Sequence, residues 1–340
     1  MMLKSILFKN NFSIIGIALL LLITACTIQT TTTSKDVNLH VGFNGLTMEL
    51  LKNTPPQKVF EDEVFPVIIK VRNIGAFSLD KNDKAILSLG VEKDYTNKVE
   101  LLAGGKIESI NENTGTFNLE GRSNINIKGE EEVISYNIRA GIVDPQSEFH
   151  GSTVIATLCY PYETTLSSTV CIDTDVSNLI PGKKVCNVQD IVFDNGQGAP
   201  VAVTKVEPNM LPQIDGQNIV PQFLIFLENK GTGTVVNRNA FQDFCTKSSE
   251  SNAASKNVNA IFVRAYLSNE ELDCTPKEKE KTNDKQGFAK LKDKKELIRC
   301  TLKEGRDKSL GTYSAPLKVV LSYGYTQSIS ANYFIQKTAR

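Results

Sequence analysis

Tryptophan is absent from the 340 residues, and histidine occurs only at His40 and His150. Two isolated histidines, with no Cys-x-x-Cys pair beside them, cannot complete a zinc set at standard spacing. GxSxG, HExxH, P-loop and GxGxxG patterns are also missing. Nucleophile-elbow hydrolysis, zinc-dependent hydrolysis and nucleotide binding therefore have no local signature. An excess of either charge is lacking too, because 38 Lys+Arg balance 38 Asp+Glu. A net charge of zero gives the whole chain no general attraction to nucleic acid or anionic lipid. No Asn-x-Ser/Thr triplet follows Asn11, so N-glycosylation of the body is not expected.

What is present suffices for folding. Apolar residues at 41% and charged residues at 22% exclude global disorder, and the length suits two domains of ordinary size. The only charges before Lys35 are Lys4 and Lys9, and they precede an Ile- and Leu-rich stretch from Phe12 to Ala25. A basic start followed by a short apolar run is the export-signal pattern. The run is marginal for a permanent helical span, which takes about 20 apolar residues. It ends Leu22-Ile23-Thr24-Ala25-Cys26, which resembles the lipobox of secreted lipoproteins. The resemblance implies cleavage before Cys26 and lipid on its sulfur and new amino group. An uncleaved anchor and ordinary cleavage with release stay open, and all three outcomes put the body outside the cytoplasm. Residues 1–25 are read as signal or anchor, and the Thr-rich stretch 26–35 as a tether.

The cysteines are Cys26, Cys159, Cys171, Cys186, Cys245, Cys274 and Cys300. Assigning Cys26 to lipid leaves an even set, and an exported chain favours disulfides. Cys159 and Cys171 lie on two adjacent alternating segments and are expected to bond. Cys274 and Cys300 flank a charged excursion and can close it. Cys186 with Cys245 is what remains.

Strand signals dominate. Val67, Ile69 and Val71 alternate with Lys70 and Arg72, and Asn73-Ile74-Gly75 follows; Phe223, Ile225 and Leu227 share a face, and Asn229-Lys230-Gly231 follows. Each Gly is expected to supply positive φ for a turn, with the Asn side chain bonding the turn backbone. A longer repeat aligns Ala156–Ile172 with Val319–Ile335 without a gap, matching Leu158, Tyr160, Tyr162, Ser167 and Ile172 to Leu321, Tyr323, Tyr325, Ser330 and Ile335. Each segment is read as a hairpin turning near Tyr-x-Tyr. Phe43-Asn44-Gly45 and Asp194-Asn195-Gly196 open the two units as Asn-Gly turns.

The expected fold is all-β: two tandem immunoglobulin-like β-sandwich domains at 36–176 and 186–338, joined by 177–185. The second carries insertions at about 245–257 and 275–296, with Gly287-Phe288-Ala289 as one possible strand. The Asn-x-Gly strand ending resembles adhesion-type modules such as CARDB domains. The leader, the CYPYET…VC segment and QGAPVAV resemble uncharacterised surface proteins of small-genome archaea, a likeness that implies fold and location and carries no activity.

The candidates for chemistry are few. His40 and His150 read as structural or solvent-facing. Glu61/Glu63 are a carboxylate pair of an ordinary kind. Asp173/Asp175 and the Asp80, Asn82, Asp83 cluster offer calcium-type oxygens without the full loop pattern. Lys277–Lys295 reads as a solvated charge run or a contact for anionic surface polymer. Tyr160/Tyr162 and Tyr323/Tyr325 can pack a core or stack on sugars. No catalytic residue, cofactor or metal site is assigned. The expected role is a membrane-anchored, extracytoplasmic, non-enzymatic module, structural or adhesive, with a protein or envelope polymer as partner and no nucleic acid. The alternatives are an accessory subunit of a secretion, pilus or envelope-assembly complex, and a carbohydrate-active enzyme.

Overall fold

Period-two alternation decides which side chains are buried. Val67, Ile69 and Val71 are fully buried, whereas Lys70 and Arg72 on the opposite face are not. Phe223, Ile225 and Leu227 repeat this arrangement. The computed structural model describes residues 39–102, 104–177, 179, 181–214, 216–246, 256–278 and 284–339. The leader, the tether, Cys26 and parts of both expected insertions lie outside the described residues.

The first half contributes β1 (Leu46–Leu50), β2 (Lys58–Phe60), β3 (Val64–Asn73), β4 (Ala85–Gly90), β5 (Thr96–Leu101), β6 (Glu108–Asn111), β7 (Thr114–Phe117), β8 (Glu131–Ala140) and β9 (Phe149–Asp173). The second contributes β10 (Ile191–Val192), β11 (Val201–Pro212), β12 (Asn218–Asn229), β13 (Thr234–Val236) and a four-residue helix, α1 (Asp243–Thr246). It continues with β14 (Ala260–Leu267), β15 (Glu270–Glu271), β16 (Asp273–Thr275), β17 (Gly287–Lys290), β18 (Lys295–Thr301), β19 (Arg306–Asp307) and β20 (Thr312–Gln336). The fold is all-β. A four-stranded sheet runs β1-β3-β8-β5, a second runs β10-β11-β12-β18-β16, and a ten-stranded sheet is built on β15-β14-β20-β9-β4-β7-β6. Both smaller sheets pack on the same face of the large one, through the even residues of β9 and the odd residues of β20.

The Tyr-x-Tyr segments are not hairpins. Each lies within one unbroken 25-residue strand, and the two strands pair antiparallel along their whole length. Pro161 sits opposite Gly324, Tyr162 opposite Tyr323 and Tyr160 opposite Tyr325. The aligned repeat is thus related by a local two-fold at the Pro161–Gly324 pair. The remaining registers obey the same relation. Ile69 pairs with Ile134 as Ile225 pairs with Ile298, and Leu87 pairs with Leu158 as Val263 pairs with Leu321. The halves 36–176 and 186–338 share this sheet, and their buried side chains form one contiguous cluster. The joint at 177–185 connects halves already paired to each other.

The expected disulfides change accordingly. Cys159 and Cys171 sit on one strand, twelve residues or roughly 40 Å apart at ~3.3 Å per residue. A disulfide needs Cα atoms within about 7 Å, so they cannot bond. Cys159 joins Cys245 (Cα–Cα 6.0 Å) and Cys171 joins Cys186 (5.8 Å), in place of the expected Cys159–Cys171 and Cys186–Cys245 pairs. Both bonds cross between the halves. Cys274–Cys300 forms as the flanking spacing suggests, because the two residues are direct partners on β16 and β18.

The glycines of the Asn-x-Gly motifs are also corrected. Neither Gly75 nor Gly231 has positive φ. They are needed for space: a Cβ on Gly75 would overlap the Tyr162 hydroxyl oxygen, and one on Gly231 that of Tyr325. The Asn side chains behave as expected. Gly75 N–H donates to Asn73 Oδ1 (3.2 Å) and Gly231 N–H to Asn229 Oδ1 (3.1 Å). Of the two Asn-Gly openings, Gly196 has φ +68° whereas Gly45 does not enter that region.

Two expectations follow. Gly75→Ala and Gly231→Ala each cost about 1–3 kcal/mol in chemical denaturation. Tyr162→Phe, by removing the overlapped oxygen, recovers part of the Gly75→Ala loss, and Tyr325→Phe does not. Opening Cys159–Cys245, which spans 86 residues, costs more than opening Cys171–Cys186, which spans 15. Loop-closure entropy sets the two at roughly 4.6 and roughly 3 kcal/mol. Paired Cys→Ser variants, compared by denaturation midpoint, check the order.

Candidate functional site

The four tyrosines of the repeat occupy the local two-fold and are all buried. Tyr160 lies edge-on to Tyr162 (centroids 5.6 Å apart), and Tyr160 meets Tyr325 at 5.6 Å. Their hydroxyls bond in matched pairs. Tyr162 donates to Asn73 Oδ1 (3.2 Å) and Tyr325 to Asn229 Oδ1 (3.4 Å). The main chain of Leu46 bonds the Tyr160 hydroxyl, and Val201 N–H donates to that of Tyr323 (3.3 Å). Each half also bonds into the other, with Thr164 donating to Val201 O (2.7 Å) and Gln327 to Leu46 O (2.9 Å). These rings are core, and none is offered to a sugar. Burial drives the Tyr160 and Tyr323 phenols well above their ordinary value, raises Tyr162, and pushes Tyr325 up to about 12.

The carboxylate candidates are engaged in structural bonds. Glu61 accepts from Val143 N–H (2.9 Å) and from the Thr338 hydroxyl (2.9 Å), and Glu63 from Phe60 N–H (2.7 Å). Asp80 Oδ1 accepts from Asn82 N–H (2.7 Å), while Asp83 pairs with Arg238 across the halves (2.6 Å). Asp173 is paired with Lys184 and accepts from Thr312, and Asp175 accepts from Leu179 N–H (2.8 Å). Among the described residues, no cluster of His, Cys, Asp and Glu could hold a metal ion. His150 stacks on Tyr95 (3.4 Å between centroids) and contacts Glu92 (3.1 Å), and that hydrogen bond holds the Glu92 carboxyl below its usual range.

Within the Lys-rich stretch, Lys277 bonds Asp273 (2.5 Å) beside the Cys274–Cys300 bond, and Lys303 bonds the same carboxylate. Burial raises the Asp273 pKa, but the two ammonium bonds outweigh it, and the net shift is downward. Gly287–Lys290 forms β17, so the stretch includes the strand that the sequence suggested.

A surface cleft of about 550 Å³ lies where no sequence motif placed a site. Its walls are Thr165–Ser167 of β9 on one side and Val192–Gln197 on the other, with His40 and Val41 at one end. The local two-fold puts a smaller cleft of about 210 Å³ at Gln327–Ile329, lined also by Phe43–Met48. A usable signal was available in the sequence. Thr164-Thr165-Leu166-Ser167-Ser168-Thr169-Val170 carries no charge and no Pro, which edge strands normally use for protection.

No protein-family model matches the sequence, and no curated protein matches it. Partial likeness to solved structures is found, among them the following two. One carries the description "AvmM Catalyzes Macrocyclization in Alchivemycin A Biosynthesis", with TM-score 0.20, 10% identity, and coverage of 35% of this chain and 75% of that one. The other is a partial N-terminal region of an enterococcal surface protein, with TM-score 0.18, 9% identity, and coverage of 77% and 84%. Scores this low carry no argument about function. Among the described residues, no helix is long and apolar enough to cross a membrane.

The tyrosine cluster gives a pH expectation. The folded chain holds phenol protons that the unfolded chain releases near pH 10, so stability is unaffected below about pH 10 and falls as pH rises beyond it. Absorbance at 295 nm should show buried tyrosines ionising only together with loss of native structure. Reversible titration of all nine tyrosines near pH 10, with the fold intact, contradicts this.

Proposed function

We propose that the protein is an exported, membrane-anchored, non-enzymatic β-sandwich protein that serves as a structural or binding module at the cell surface. The observation that carries the reading is the disulfide set. All six cysteines after Cys26 are paired, and two of the three bonds hold the halves together. Bonds of that kind persist in an oxidising compartment and not among cytosolic thiols. The basic-apolar leader ending at Cys26 supplies the export route, and lipid on Cys26 the anchor. The likeness of the Asn-x-Gly strand endings to CARDB-type modules belongs to the same reading. The charge balance favours a protein or envelope polymer over nucleic acid as partner.

The test is made on the full chain expressed in a host that processes lipoproteins. The mature protein should begin at Cys26, carry the added mass of a lipidated cysteine and partition into detergent. Cys26→Ser should remove the added mass and move the protein to the aqueous phase with its three disulfides intact. Recovery of the wild-type chain as a reduced cytosolic protein would sink the reading.

A further inference from the structure

β9 pairs with β20 along one edge over its whole length and with β4 along the other from Ile155 to Cys159. Beyond Cys159, no described strand pairs with that second edge. The ladder also fixes which main-chain groups point outward. Thr174 N–H donates to Gly311 O across the β9–β20 seam. Pro316 O, opposite Thr169, instead accepts from Ser268 on the far side, and Phe334 N–H, opposite Gly151, donates to Gln57 O. Residues therefore alternate strictly between inward and outward pairing. The N–H and C=O groups of Thr165, Ser167 and Thr169 point away from β20, toward open space.

That open edge is one wall of the 550 Å³ cleft. The outward-pointing run from Thr165 to Thr169 spans roughly 13 Å at ~3.3 Å per residue. Leu166, Phe193 and Val41 form the apolar part of the lining, and the edge itself bears no charge. The run on β20 related by the two-fold, Ser328–Asn332, also has no described strand on its outer edge, but the cleft beside it has less than half the volume. The two copies thus differ in the room beside the edge, and the larger space lies along β9.

We propose that this cleft accepts a single extended segment of a partner protein, which adds a strand to β9 by main-chain hydrogen bonds. The segment is uncharged over four or five residues, with apolar side chains at alternate positions facing Leu166 and Phe193. Main-chain pairing supplies affinity and the alternate side chains supply selectivity. A second copy of this chain fits less well. Two-fold pairing of Thr165–Thr169 edges would bring the Val192–Gln197 wall of each copy into the space of the other. The inference deepens the binding-module reading and does not depend on lipid at Cys26.

The test uses the disulfide-intact mature chain and a defined probe, a nine-residue peptide of alternating Val and Thr with one Lys at each end. Saturable binding should protect the amides of Thr165, Ser167 and Thr169 from hydrogen exchange and leave those of the Ser328–Asn332 edge unchanged. Ser167→Pro removes one outward N–H and no bond of the β9–β20 ladder, so it should weaken binding at least tenfold with the fold retained. Ser167→Ala should bind as wild type. A peptide N-methylated on its pairing edge should not bind. Absence of protection at millimolar peptide, or binding that Ser167→Pro leaves unchanged, overturns the proposal. So does concentration-dependent dimerisation without peptide that Ser167→Pro abolishes, since it would give the edge to a second copy. Membrane fractionation is read separately, so failure of the strand site and failure of the anchored reading stay distinguishable.

Discussion

The antiparallel pairing of β9 with β20 is the constraint from which the rest of the structure follows. Twenty-five consecutive residue pairs place the two copies of one repeat face to face about Pro161 and Gly324. A single strand cannot serve two sandwiches by turning. It does so here by running straight through, with its first part roofed by one small sheet and its second part by the other. The core is continuous for that reason, and side chains from both halves join one buried cluster. The disulfide map has the same origin. A straight strand separates Cys159 from Cys171 by far more than a disulfide can reach, and each must find a partner in the other half.

The two sequence motifs turn out to be a single physical device. A Tyr hydroxyl buried beneath the sheet needs a bonding partner, because leaving it unsatisfied costs about 1–3 kcal/mol. The Asn at the end of β3 or β12 supplies that partner and also ties its own chain by bonding two residues ahead. The Gly makes room for the hydroxyl. Asn, Gly and Tyr therefore recur as a set because removing any one leaves the other two strained or unbonded. Thr164 and Gln327 extend the device across the halves. They hold the first residues of β11 and β1 by the same geometry with different chemistry.

Much of this is legible in the sequence, and the points where the structure differs have a common cause. Strand content, the alternation at Val67–Arg72, the repeat and Gly287–Lys290 all rest on local pattern, which sequence carries directly. The Tyr-x-Tyr segments read as hairpins in isolation, because local alternation does not reveal a partner strand far away in sequence. Only the opposing strand shows that they are the centre of a ladder, where Pro161 and Gly324 face each other and Val236 and Phe241 leave no room for a Cβ on Gly324. Once the hairpin was assumed, pairing Cys159 with Cys171 followed from proximity that did not exist. The glycines of Asn73-Ile74-Gly75 and Asn229-Lys230-Gly231 were assigned to backbone freedom, when the need was for space occupied by a tyrosine distant in sequence. The uncharged run Thr164–Val170 hints at an open edge, but the cleft itself does not show in the sequence, because its two walls, Thr165–Ser167 and Val192–Gln197, meet only in the fold.

Duplication makes the differences between the copies more informative than the likeness. Positions that obey the two-fold, such as the tyrosines and their asparagines, are accounted for by stability alone. The edge of β9 departs from it. Its counterpart on β20, Ser328–Asn332, lies between the segments paired with β13 and β2, and the cleft beside it is less than half as large. On β9 the run lies along the larger cleft, and the disulfide at Cys171 bounds it at one end and the tyrosine centre at the other. Held between two fixed points, the open edge keeps its extended geometry without a partner strand. A rigid, preformed edge loses little conformational entropy when a strand is added, whereas a free strand end would have to be ordered first. The same ladder that welds the halves thus prepares the one place where the welded body can receive something else.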